Sequence, residues 1–313
     1  MPSKRNKSFK VQGSRFKATA FASNLQPRTL NRAPFIVTID GPAGGGKSTV
    51  AKLLAQRLGV MYLDTGATYR SLAFAAVQGD LNPITDWFRL AVLARHLPLV
   101  LQPTPEGGLR VRLDGVDITT HIRTEEVSEA AAQVSQYPEI RAAMVTLQRR
   151  LARRPWTDPR SGVSRRGVVV EGRDTGSVVF PQAPYKFFLD ADPDVRARRR
   201  QQELKRLYGS RPPLAQVREQ LHFRDGLDRH RRVGPLVKPA GAIAVNTTHR
   251  SAAQVVRLML AQIAPSARTP ARFASSREMR SISGTEPRKS LRDFSGQSEA
   301  AGGLARDSVK RGH

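Results

Sequence analysis

The sequence predicts an α/β fold built on a parallel central sheet, and three observations predict it. The first is a strand, a glycine-rich turn and a helix in immediate succession over residues 35–58. The second is a series of short apolar runs separated by segments of helical period across residues 34–264, the alternation that produces parallel strands. The third is a carboxylate, Glu171, closing the apolar run 168–170. Strand ends of that kind are where α/β sheets collect ligands.

The opening unit is the most specific. Phe35, Ile36, Val37, Thr38 and Ile39 suit a buried strand, and Val50, Leu53, Leu54 and Leu58 follow helical spacing. Between them Gly41, Gly46, Lys47 and Ser48 satisfy G-x-x-x-x-G-K-[ST]. Glycines let successive backbone N–H groups turn toward one anion, and the helix N-terminus adds its positive dipole end. Lys47 can reach β/γ-phosphates as a point charge, and the Ser48 hydroxyl can sit on Mg²⁺. A chance match is expected roughly once in a hundred chains of this length, so the strand before and the helix after carry weight.

The second strand spans 60–63 and ends at Asp64, ahead of an Ala- and Leu-rich helix reaching about Gln78. Thr65 and Arg70 open that helix beside the phosphate loop, where an arginine suits bidentate capture of a second phosphate. A helix over 86–97 precedes short strands at 99–101, 109–113 and 116–118, with Gly107-Gly108 and Asp114-Gly115 as turns. They read as a small antiparallel insertion on the main sheet. Helices at 124–135 and 138–153 follow, then a loop holding Trp156. The third parallel strand, 168–170, delivers Glu171, Arg173 and Asp174 to the same edge, with Glu171 the candidate carboxylate for Mg²⁺ or its waters. After a strand at 185–189 come an arginine-crowded helix at 193–208, a polar turn at 209–213 and a helix to about Arg232. Spacings of four and seven put Arg224, Asp228 and Arg231 on one face of it. Two such helices about a polar turn suit a lid closing on triphosphate. A strand at 242–245 and an amphipathic helix at 252–263 complete the domain.

Composition narrows the function. The 313 residues include no cysteine, which removes disulfides, thiolate metal sites and a cysteine nucleophile. No apolar run approaches a membrane span. A formal charge of +26 points to phosphorylated substrates, nucleic acid or both. Residues 1–33 hold no acid but carry Lys4, Arg5, Lys7, Lys10, Arg15, Lys17, Arg28 and Arg32. They read as a disordered basic tail or an organelle presequence. The Ser-, Arg- and Gly-rich segment 265–313 reads as disordered.

Over most of 35–263 the chain resembles the bacterial cytidylate kinases, a nucleoside monophosphate kinase family. The resemblance rests on VTIDGPAGGGKST, LDTGATYR, IRTEEVSEAAAQVS, EGRDTGSVVFP and RDGLDRHRRVGPLV. It implies a three-layer phosphate-loop kinase with a monophosphate-binding insertion at about 85–155 and an arginine-rich lid at about 196–213. It implies ATP as co-substrate on Gly41, Pro42, Ala43, Gly44, Gly45, Gly46, Lys47, Ser48 and Thr49, and Mg²⁺ on Ser48 and Glu171. CMP or dCMP falls to Thr65, Arg70, Arg141, Arg173, Asp174, Arg224, Asp228 and Arg231. Lys47, Arg70, Arg199 and Asp174 take the catalytic roles, Arg199 among lid arginines that approach the transferring phosphoryl group. Departures are present: Thr65 and Ala132 stand where relatives often have serine, Glu171 replaces a frequent aspartate, and Leu227 stands where an arginine is common. The implied protein is a cytoplasmic monomer, with organelle targeting through residues 1–33 as the alternative.

Two other readings stay open at this stage. A phosphate-loop kinase acting on a hydroxyl acceptor, such as shikimate or a sugar acid, would need a carboxylate base, and Asp64 is placed for it. An RNA-associated nucleotide-binding module would explain the charge through counterion release, but no aromatic stacking motif accompanies it. Weak RNA binding by the tails is the lesser form of that reading.

Overall fold

A computed structural model of the chain describes residues 35–267, apart from 159–161, 163, 166 and 210. Of the segment 265–313, for which the sequence predicts disorder, residues 265–267 instead continue the last helix; the remainder, like the basic segment 1–33, lies outside the described residues. The first elements are β1 (Ile36–Asp40), α1 (Lys47–Leu58), β2 (Met61–Asp64) and α2 (Thr65–Gln78). Next come α3 (Trp87–Arg95), β3 (Leu99–Pro103), β4 (Leu109–Leu113), β5 (Val116–Asp117), α4 (Glu125–Val134) and α5 (Pro138–Arg153). The remainder are β6 (Trp156–Thr157), β7 (Ser164–Arg165), β8 (Val168–Glu171), β9 (Tyr185–Asp190), α6 (Pro193–Tyr208), α7 (Leu214–His230), β10 (Ile243–Asn246) and α8 (Ala252–Ala267).

Five strands form the parallel sheet in the order β10-β9-β1-β8-β2. In central β1, Val37, Thr38, Ile39 and Asp40 are all buried. Successive strand residues face opposite ways, so both faces of the sheet are covered, which is why the strands read as unbroken apolar runs. Register then aligns the chemistry. Glu171 lies opposite Ile39 on one side and Asp64 on the other, so the carboxyl ends of β1, β8 and β2 bring Asp40, Glu171 and Asp64 to one edge. Helix α1 buries Val50, Ala51, Leu54 and Ala55 against β8 and α8 and stops at Gly59, whose φ of 62° suits glycine.

Three local expectations are corrected. The antiparallel strands β3, β4 and β5 form a sheet of their own and pair with no strand of the main sheet. Its inner face is the alternate set Leu99, Leu101, Leu109 and Val111, all buried. The segment after Trp156, read as a loop, contains a two-stranded pairing of Trp156 with Arg165 and Thr157 with Ser164. Strands of two residues are too short to show a period. Helix α7 stops at His230, and Arg231 is extended with φ −63° and ψ 142°, so it leaves the face predicted for it. A small apolar cluster of Ala43, Ala197, Leu204, Val217 and Leu221 sits apart from the main core and binds the α6–α7 hairpin to the phosphate loop.

Candidate active site

The phosphate loop joins β1 to α1, and its glycines are required by close packing. Gly41, with φ 146°, lies against the Leu189 carbonyl of β9, where any Cβ would collide. Gly44, with φ 72°, leaves 2.8 Å between an ideal Cβ and the Arg196 carbonyl. Gly46 caps α1 with φ 84° and no side-chain acceptor, so the first-turn amides have no partner inside the helix. The loop's carbonyls are turned away from that turn. Pro42 O accepts from Lys47 Nζ at 2.6 Å, Ala43 O from Arg196 Nη1 at 3.2 Å and Gly45 O from Thr247 Oγ1 at 3.1 Å. What remains facing the anion position is N–H and positive charge. Two loop amides are taken: the Ala43 N–H donates to Asp225 Oδ1 at 3.2 Å and the Gly45 N–H to Pro42 O at 3.4 Å.

Lys47 is buried, and burial together with the Arg173 charge pulls its ammonium down to about 7, while Glu171 pulls the other way. Ser48 and Thr49 are exposed at the helix start. Ser48 Oγ donates to Glu171 Oε2 at 2.9 Å, and the Tyr62 hydroxyl donates to Glu171 Oε1. Burial raises the Glu171 carboxyl above its usual range. Among the described residues no group of three or more His, Cys, Asp or Glu could hold a metal alone. An oxygen pair such as Ser48 and Glu171 fits Mg²⁺, which takes one or two protein oxygens and completes its shell from phosphates and water.

A second cluster gathers arginines beside the first. Asp64 caps α2 by accepting from Ala67 N at 3.1 Å, and it pairs with Arg70 Nη2 at 2.7 Å. Burial works to raise its carboxyl, but Arg70 prevails and holds it below the usual range. Asp228 accepts from Arg173 Nε at 2.8 Å and lies 3.3 Å from Arg231 Nη1, despite Arg231 having left the helix. Arg141 is fully buried in an ion pair with Asp174, with its guanidinium 5.8 Å from the Tyr69 ring centre. Arg224 has no ion pair or hydrogen bond among the described residues, and burial plus the Arg173 charge draw it down to about 10. Buried Nε atoms of Arg70 and Arg141 and Nη2 of Arg231 lack acceptors. A cationic cleft with spare donors is suited to a phosphorylated ligand.

Two of the residues anticipated from sequence are otherwise engaged. Thr65 donates its hydroxyl to the Glu171 carbonyl at 2.7 Å, which ties α2 to the end of β8. Arg199 forks onto Thr247, with Nη1 2.9 Å from Oγ1 and Nη2 2.6 Å from the carbonyl, on the flank of the loop. Other residues escaped the sequence reading. Asp40 is fully buried and accepts from Thr175 N, Thr175 Oγ1 and Gly176 N at 2.7, 2.8 and 2.7 Å. Those bonds wind residues Thr175–Val179 into a π-helical turn and set Asp174 at its start. Gly234, with φ 62°, approaches Arg141 and Asp174 so closely that a Cβ would collide with both. Asp225 sits next to Arg224, a position the helical spacing alone left without meaning.

Comparison with known proteins agrees with this layout. The sequence model of the cytidylate kinase family matches residues 37–265. Cytidylate kinase from Marinomonas sp. (strain MWYL1) is 38% identical over 75% of this chain and 97% of its own. That from Symbiobacterium thermophilum is 42% identical over 72% of this chain and 94% of its own. That from Pseudomonas savastanoi pv. phaseolicola is 42% identical over 74% and 96% respectively. With a phosphate loop, an arginine-lined second cleft and this extent of similarity, the chain belongs to the cytidylate kinase family.

Proposed function

We propose that the chain transfers the terminal phosphoryl group of ATP to CMP and dCMP, giving ADP and the corresponding diphosphates. The observation that carries this reading is the adjacency of two anion sites at one sheet edge, with Glu171 between them. Its side chain accepts from Ser48 of the phosphate loop, and its carbonyl accepts from Thr65 at the start of the acceptor-side helix. The acceptor phosphate is itself the nucleophile, so the protein's work is positioning and charge neutralisation in line. Lys47 meets the β/γ-phosphates, Arg70 and Arg224 hold the acceptor phosphate, and Arg173 lies between the two groups. Asp228 and Arg231 take the sugar, and Arg141 with Asp174 take the base. Ser48 and Glu171 would hold Mg²⁺, which when bound neutralises charge shared between the β- and γ-phosphates.

A hydroxyl acceptor would require a free carboxylate base, and Asp64 is spent on Arg70 and on capping α2. Its lowered pKa makes it a weaker base still. The same reading takes the protein as a cytoplasmic monomer and leaves weak RNA binding to the basic tails. A coupled ADP assay with CMP, dCMP, UMP, AMP, shikimate and gluconate tests it. CMP and dCMP are expected to lead, and turnover of a hydroxyl acceptor without turnover of CMP would overturn it.

A further inference from the structure

The Ala43 peptide is held at both ends by the lid. Its N–H donates to Asp225 Oδ1 at 3.2 Å, and its carbonyl accepts from Arg196 Nη1 at 3.2 Å. Arg196 of α6 and Asp225 of α7 also form an ion pair with each other, and their side chains are only 10% and 2% exposed. The Ala43 methyl completes the apolar cluster of Ala197, Leu204, Val217 and Leu221 inside the hairpin. Gly44 packs on the Arg196 backbone, where an ideal Cβ would stand 2.8 Å from the carbonyl. An amide committed to a carboxylate cannot also cradle a phosphate, so Ala43 serves the lid and its neighbours serve the anion.

The same hairpin carries the acceptor-side groups. Asp225 follows Arg224 directly, and Asp228 lies one helical turn further along α7. Resting on the reading of Arg224 and Asp228 as acceptor-binding residues, we infer that Arg196 and Asp225 are positioning residues that couple the two nucleotide sites through the Ala43 peptide. When the acceptor fixes α7, Asp225 is fixed, Ala43 is held and the loop is set for the triphosphate. The structure holds loop and hairpin joined, and removing one partner of the buried pair would strand the other's charge. Linkage makes the effect reciprocal: each nucleotide tightens the other by the same factor.

The test uses the full chain and calorimetric titration with the non-hydrolysable β,γ-imido analogue of ATP plus Mg²⁺, with and without saturating CMP. The intact chain should bind the analogue more tightly with CMP present, on the order of 5- to 150-fold, the usual range of such coupling. Asp225→Ala should bring that ratio close to one while its affinity for CMP alone stays near that of the intact chain. Arg196→Lys keeps the charge but replaces the rigid guanidinium, whose Nη1 reaches both Ala43 O and Asp225, with a rotatable ammonium on a different arm. It should give an intermediate ratio even if Asp225→Ala fails to fold. An unchanged ratio in either folded variant overturns the inference, as does an intact chain whose affinity for the analogue ignores CMP. Loss of CMP affinity alone in Asp225→Ala would place Asp225 in the acceptor site instead. An intact chain that binds no CMP at all fails the underlying reading and takes the inference with it.

Discussion

At Lys47 one nitrogen supplies the charge that the donor phosphates would meet, so the smallest changes act here. Lys47→Ala and Arg70→Ala should each lower kcat by on the order of 10²–10³-fold, by analogy with loss of one preorganised donor. A coupled assay that finds both variants at full turnover would remove the mechanism. The depressed Lys47 pKa makes a sharper forecast. In the free protein its proton is lost as pH rises through about 7, so kcat/KM for ATP should fall above that pH. Bound triphosphate restores the cation by adding negative charge beside it, so kcat should hold to a higher pH. In Lys47→Arg the break near neutrality should vanish, since a guanidinium stays charged. A pH profile showing the same break in both proteins would assign it elsewhere. Lys47 and Ser48 were legible because a motif fixes their spacing, and Glu171 because it closes a buried apolar run. Asp225 and Gly234 were not, because their meaning comes from partners far away in sequence: Ala43 for one, Arg141 and Asp174 for the other.

Among the elements, the π-helical turn at Thr175–Val179 shows what periodicity misses. Its cause is a carboxylate on another strand, Asp40, which takes two backbone amides and one hydroxyl from the turn. Arg149 of α5 closes the other end by donating Nε to Val179 O at 2.8 Å and Nη2 to Val178 O at 2.9 Å. Asp40→Asn replaces one acceptor oxygen with an NH₂ group that would face an N–H. The cost should be about 1–3 kcal/mol in urea unfolding, the range for a buried donor left unsatisfied. Because Asp174 stands at the start of the turn, CMP affinity should fall more than ATP affinity. Equal loss of both, measured by titration, would deny the turn its link to the acceptor side. The long helices and buried strands were readable from apolar period alone, as was the order of the units. The antiparallel insertion was readable from its strands and turns, but its separation from the main sheet and the 156–165 pairing were not, since strand partnership leaves no mark within a single strand's sequence.

For the whole molecule the charge is +26, and residues 1–33, outside the described residues, add basic side chains with no acid among them. A chain limited to residues 34–267 should keep its CMP turnover and lose retention on immobilised RNA, while the full chain's retention should weaken steeply with salt. Retention that survives the truncation would move RNA binding onto the folded domain. No helix among the described residues is long and apolar enough to cross a membrane. The anchoring of Lys47 shapes which anions such a basic protein accepts. Lys47 Nζ donates to Pro42 O at 2.6 Å, which fixes where the ammonium sits and leaves two of its three N–H donors for an arriving anion. A small anion can meet only those donors, whereas a chain of phosphates also fills the first-turn amides that have no partner inside α1. The loop thus rewards length in its anion, because each further phosphate finds donors that a small ion leaves empty.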